Sequence, residues 1–400
     1  MLRETLFESA RWRPLTARRG SDRRSAGGTG CECADATTAS AGSSAWRRPA
    51  RTPSRAACLV SGLVLALNTC LCEAANVTIN AATPGTGIDH NNIAVIINTA
   101  DSLSVAAGEY YARARRVPPS NLIRVRFAPG ASGLAVDEFR RVKARVEASA
   151  PRSIQAYVLT WTTPYHVDCM SITSAFAFGY DRSYCASGCS PTRSSAYFDS
   201  PSRAPATDLG IRPTMMLAGR DATDVRALID RGVRSDGTYP HGSAYLLFTS
   251  DHARNTRALL YPLVRSPAPG LLDIKMLRQD TLTDRKDVMF YFTGLPAVAG
   301  LDTLAFLPGA VADHLTSAGG MLTDSNQMSA LSWLHAGATA SYGAVVEPCN
   351  FPQKFPQPAV VIRRYVLGET LIEAYWKSVA WPGQGVFIGE PLAAPYRAAR

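Results

Sequence analysis

The 400-residue sequence lacks most of the features that would assign a protein to a class on sight. Its extended apolar run, Ala56 to Leu71, is shorter than the ~20 residues a membrane-spanning helix needs. It has no phosphate-binding loop and no His-Glu-x-x-His, which excludes the commonest nucleotide hydrolases and zinc peptidases. Gly85-Thr86-Gly87 precedes a strand-like run instead of following one, so it is no dinucleotide loop. No basic run is interleaved with aromatics, and nucleic acid is excluded as a partner on that ground. The net charge of +10 does not argue otherwise: residues 1–75 hold 11 Arg against 6 acidic residues, leaving +5 for the remaining chain. After residue 76 there is no heptad, solenoid period or low-complexity block. Cysteine is sparse there too. Of nine in the chain, only Cys169, Cys185, Cys189 and Cys349 follow residue 75. Four cysteines without paired knuckles disfavour a zinc site and favour disulfides in an exported protein. Three pairings are open. Cys185 and Cys189 are close enough to bridge locally, which would leave Cys169 to Cys349.

What is present begins with a leader. Residues 1–55 are rich in Arg, Ser, Ala, Gly and Pro without periodicity, the composition of a disordered basic segment. Arg47, Arg48, Arg51 and Arg55 then precede the apolar run, and Cys72-Glu73-Ala74 follows it. Basic region, apolar region and small-residue cut site, in that order, predict a signal peptide over 56–75 and a secreted or periplasmic mature chain without a membrane span.

The mature chain alternates. Asn92–Asn98 reads as a buried strand, and Asp101 or Ser102 caps a helix carrying Val105, Ala106, Tyr110 and Ala114. Leu122–Phe127, a helix over 136–148 and Ala156–Thr160 continue the pattern. An irregular, cysteine-bearing insertion spans 161–212. A strand at Thr214–Leu217, a helix over 222–234, and strands at Ala244–Phe248 and Val288–Phe292 follow. Pro308 is expected to start a helix through Leu315. Gly319–Leu322 and Gly337–Val346 are expected strands, and Glu369–Val379 a last helix. This predicts a doubly wound, mostly parallel α/β protein with subdomains over 76–240 and 241–400.

Strands of a parallel sheet present ligands with their carboxyl ends. If both late runs are strands, Thr323, Asp324, Ser325, Asn326 and Glu347 share one rim. Asp324 and Glu347 could then act as general acid and base, or hold a divalent cation with Ser325 and Asn326. The plainer alternative is that Asp324 caps a helix near Met328 and Glu347 pairs with an arginine. Asp251-His252 and Asn350 could join the same rim. His166-Val167-Asp168 is a weaker metal candidate, Asp313-His314 is expected on a solvated helix flank, and His335 is expected to pack beside Trp333. Ser341 lies within a strand and is no nucleophile. Tyr342, Phe351, Phe355, Trp376 and Trp381 suit a glycan or peptide ligand, although simple packing explains them equally.

Several segments carry a resemblance: Asn98-Thr99 through Glu109-Tyr110-Tyr111, Tyr291–Gly294, Leu307–Leu315, Gly337–Gly343 with Glu347-Pro348, Glu373–Trp376 and Gly389–Leu392. On these, residues from about Asn92 to Pro395 resemble an uncharacterised family of exported bacterial proteins, a likeness that implies no activity. More remotely, Leu217–Arg220 and Gly389-Glu390-Pro391 are similar to segments of gingipain-type cysteine peptidases, which implies two caspase-like (flavodoxin-like) subdomains. Their catalytic histidine and cysteine do not carry over: Gly294-Leu295-Pro296 and Thr323-Asp324-Ser325 stand in the matching places. The expectation is therefore a non-peptidase binding protein for a peptide or carbohydrate, with a hydrolase built on Asp324 and Glu347 as the alternative.

Overall fold

All six residues of β1 (Ile93–Asn98) are buried in the computed structural model, as in a strand covered on both faces. The structure describes residues 87–186 and 188–398; the expected leader and signal lie outside them. Asp101 caps α1 (Ser102–Arg115) by accepting the Leu103 N–H at 2.9 Å. Gly108 lets this helix lie directly on the strand, because a Cβ there would come within 2.5 Å of Ile97 Cγ1. The alternation continues through β2 (Leu122–Val125), α2 (Val136–Ser149) and β3 (Ala156–Leu159). The insertion is more ordered than its composition suggests. It holds a short ladder of β4 (His166–Val167) and β5 (Met170–Ser171), then α3 (Ile172–Phe178) and α4 (Pro205–Leu209). Ser171 caps α3, which is buried along nearly its whole length.

β6 (Thr214–Met216) leads into α5 (Ala222–Ser235), capped by Asp221. The second half runs through β7 (Gly242–Phe248), β8 (Leu272–Arg278), β9 (Val288–Thr293), β10 (Phe306–His314) and α6 (Leu331–His335). It ends with β11 (Ala340–Ala344), α7 (Pro358–Val366), α8 (Leu371–Trp376) and β12 (Gly385–Gly389). Ten strands form one mostly parallel sheet in the order β2-β1-β3-β6-β12-β11-β10-β9-β7-β8, with helices on both sides. The expected α/β class is correct. Both halves repeat one plan: the first strand lies one place in from an edge, the second forms that edge, and the chain then crosses back. Each half therefore has a switch point, between β1 and β3 and between β7 and β9. β12 joins the halves, antiparallel to β11 and bridged to β6 through Ile388 and Met216.

β8, α7 and β12 were not expected, and two expected elements take another form. Leu307–Leu315 is no helix; most of it is strand β10. Its last six residues are buried, a pattern that a buried helix and a strand share. Pro308 is accommodated because the register with β9 shifts between Phe306 and Val311. Gly319–Leu322 is a loop, not a strand. Gly320 donates its N–H to Ala344 O at 2.8 Å, and a Cβ on Gly320 would collide with the backbone of Gly343. The glycines serve a crossing of backbone over backbone.

Asp313 and His314 are enclosed on β10, not solvated on a helix. Asp313 pairs with the fully buried Arg257 and accepts the Tyr375 hydroxyl at 2.9 Å. His314 accepts the Trp333 indole N–H at Nδ1, 2.9 Å away, and its Nε2 lies 3.0 Å from Met328 O.

The disulfide pairing also differs. Cys169 bonds Cys185 and Cys189 bonds Cys349, with Cα separations of 5.7 and 5.4 Å. Helix α3 reverses the chain, so that Tyr180 and Asp181 return to Asp168 and Met170 and bring Cys185 to Cys169. The second bridge closes a separation of 160 residues and pins the insertion to the loop after β11. Replacing both Cys189 and Cys349 by Ser is expected to lower unfolding stability by about 2–4 kcal/mol. Urea midpoints read the loss, and an unchanged midpoint would contradict it.

Candidate functional site

A cavity of about 1170 Å³ opens where the β1/β3 switch point should place a ligand. One wall comes from the loops beyond β1, β2, β3 and β6: Asp101, Leu103, Pro129, Gly130, Thr162, Thr163, Gly219 and Arg220. Thr162 ties two of these loops together. Its hydroxyl donates to Gly219 O at 2.7 Å and accepts the Gly219 N–H at 3.1 Å. The facing wall comes from the connection between β9 and β10 and from the segment between β10 and β11. Val298, Leu301, Leu304, Leu322, Met328 and Leu331 make it aliphatic, while Asp302, Thr323, Ser329, Ser332 and His335 add polar groups.

Three charged or titratable groups meet at one side of this cleft. Arg220 Nε holds Asp224 at 2.7 Å, and His335 Nδ1 lies 3.4 Å from the other carboxylate oxygen. Arg220 also contacts the His335 ring. The Arg220 hydrogen bond, with help from His335, holds the Asp224 carboxyl below its ordinary range against the opposing effect of burial. Arg220 and His335 keep 53% and 54% of their side-chain surface, so both remain open to a ligand. α6 sets His335 in place. Successive helical residues point about 100° apart, which sends Trp333 into the core and leaves His335 outside. Arg231 on α5 fixes that helix by donating to Leu334 O at 2.7 Å and Ala338 O at 2.6 Å. Burial lowers the Arg231 pKa to about 10, and it stays cationic at neutral pH. His335 is thus exposed instead of packed.

The rim residues expected from sequence do not form one group. Thr323 lines the cleft. Asp324 is exposed and accepts the hydroxyl of Tyr165, whose phenol is held above its usual pKa by burial and by this carboxylate. Glu347 is exposed and accepts the Cys349 N–H at 2.7 Å. No hydrogen bond joins these two carboxylates. Ser325 serves its own loop, donating to Ala318 O at 2.9 Å and accepting the Gln327 N–H at 3.0 Å. Asn326 is exposed. Asp251 pairs with Arg254 at 2.8 Å beside the exposed His252. Asn350 lines a separate hollow of about 110 Å³ with Arg254, Thr316 and Cys349. His166 Nδ1 faces Asp168 O at 2.9 Å, and among the described residues no group of three or more His, Cys, Asp or Glu converges as a metal site would require.

Tyr342, Phe355 and Trp376 are core residues, packed on one another or on Phe387. Phe351 and Trp381 pair with ring centroids 5.6 Å apart, outside the cleft. Sequence reasoning missed the Arg220–Asp224–His335 group. Arg220 and Asp224 have the i, i+4 spacing of a local ion pair, but nothing local brings His335 to them across 111 residues. Chemically, this group can bind an anion or orient an imidazole. Among the described residues no lining hydroxyl is hydrogen-bonded to His335. No family model, no curated protein and no solved structure matches the chain.

Proposed function

We propose that this chain is an exported peptide-binding protein without peptidase activity. The observation that carries this reading is the lining of the large cleft. It opposes an aliphatic wall to one of loop backbone and small polar side chains, and among the described residues its only aromatic ring is the imidazole of His335. Glycan sites use flat aromatic faces against the sugar ring, and their absence from the lining favours a peptide. Aliphatic side chains would meet Val298, Leu301 and Leu304, while the peptide backbone faces Thr163 and Gly219. Two disulfides support an oxidising compartment. Among the described residues no helix is long and apolar enough to cross a membrane.

The gingipain-like frame supplies no thiol chemistry on this reading. Gly294-Leu295 follows β9 and Leu315-Thr316 follows β10, so neither of these pairs offers a histidine or a cysteine. Cys349 is bonded to Cys189 and carries no thiolate. The separate engagements of Asp324 and Glu347 give the hydrolase alternative no comparable support.

Ligand-observed NMR with two probe sets tests the proposal: pools of random hexapeptides and a panel of neutral oligosaccharides. Peptides with aliphatic side chains are expected to bind at micromolar affinity, and Leu301→Arg, which fills the cleft from a half-buried position, to weaken them at least about tenfold. Oligosaccharides binding where peptides do not would overturn it, as would a Leu301→Arg variant that binds like the parent.

A further inference from the structure

We infer that the Arg220–His335 side of the cleft receives the terminal carboxylate of the peptide, so that the protein reads free C-termini; this rests on the peptide-binding reading above. Arg220 stands at the end of β6 with Nε committed to Asp224 and Nη2 against His335 and Asp224. Among the described residues its Nη1 has no partner. With Nε and Nη2 held by Asp224 and His335, the guanidinium presents Nη1 to a carboxylate oxygen. Asp224 fixes the direction of Arg220. Both ring nitrogens of His335 face Arg220 Nη2, so the imidazole steadies the guanidinium.

The fold anchors this pair from both walls. Asp224 and Arg231 lie two turns apart on α5, one holding Arg220 and the other bonded to the carboxyl end of α6. The guanidinium and the imidazole are therefore placed by different halves of the sheet. Leu331 and Ser332 precede His335 on the same helix and also line the cleft. A carboxylate on Arg220 would leave the preceding side chain beside this aliphatic wall. The ligand class is a peptide with a free C-terminus and an aliphatic residue at or next to it. An internal segment of a longer chain has a neutral amide in that place and gains no charge-assisted bond.

The test uses the purified full chain and N-acetylated hexapeptides ending in Leu or Val, each made as the free acid and as the C-terminal amide. Calorimetry is expected to give about tenfold tighter binding of the acid. Arg220→Gln should reduce that ratio to near one, and Arg220→Lys should restore part of it. His335→Gln should lower the ratio by a smaller factor. Unfolding midpoints equal to the parent's show that the variants are folded. Equal affinity for acid and amide, or an acid preference that survives Arg220→Gln, overturns the carboxylate assignment and leaves the peptide reading standing. Failure of every peptide, acid and amide alike, overturns both.

Discussion

Lowering the pH from 6.5 to 3 is expected to remove roughly 4–5 kcal/mol of stability through one side chain, His314. The ring is fully enclosed on β10. Burial lowers its pKa from the ordinary 6.5 to about 3, with smaller contributions from the charges of Arg257 and Arg254 that outweigh nothing but add to the effect of burial, and with the Met328 carbonyl working the other way. In the unfolded chain the same imidazole protonates near 6.5. Between these two values the unfolded state holds a proton that the folded state does not, so stability falls as the pH falls. The contribution is complete above 6.5 and is lost progressively toward 3. The neutral ring accepts from Trp333 and donates to Met328 O, and Gln can reproduce both roles with its carbonyl and amide. Other carboxylates titrate over the same range, so the measurement is a difference. Urea unfolding of the parent and of His314→Gln, each followed from pH 7 to 4, should give a steeper decline for the parent. Parallel curves would show that His314 is already protonated in the fold, or is not enclosed.

The second large effect is expected at Arg257. Replacing it with Met should destabilise the fold by about 3–5 kcal/mol, because the substitution leaves the Asp313 carboxylate buried without its counter-ion. Burial opposes the Arg257 charge, and Asp313 more than offsets it, so the guanidinium is held above its usual pKa. Its other bonds matter too. Nη2 donates to Thr293 O at 2.9 Å, and the guanidinium lies 5.2 Å from the centre of the Phe292 ring. Tyr375 alone would then donate to the abandoned carboxylate. The decisive comparison is the double variant Arg257→Met/Asp313→Asn. Removing the charge together with its partner should recover most of the loss, while Tyr375 keeps an acceptor. A double variant as unstable as Arg257→Met alone would mean that lost packing, not the stranded charge, sets the cost.

Much of the first half was legible because its signals are local. Asp101 before Val105, Ala106 and Tyr110 marks α1, and Asn92–Asn98 is too rich in branched residues and too short for anything but a buried strand. The second half was less legible where one pattern fits two structures. The apolar run from Ala310 to Ala312 is compatible with a helix or a strand, and Pro308 at its head favours the wrong choice. β12 offers only Val386-Phe387-Ile388 between glycines, although it lies at the centre of the sheet. Its partners supply the burial that its own sequence cannot advertise.

The candidate site divides in the same way. Its location at strand ends, and the strand–helix alternation that creates those ends, follow from periodicity and capping, which act within a few residues. The four cysteines after residue 75 were equally plain. Sequence alone was thus enough for an α/β chain with four cysteines after residue 75. Tertiary structure decided which of these groups meet: Cys189 with Cys349, Tyr165 with Asp324, and Arg220 and Asp224 with His335. Such meetings depend on strand order and on how α5 and α6 pack. Both are chosen by the burial of whole faces, and separations of more than 100 residues leave no local pattern from which to read them.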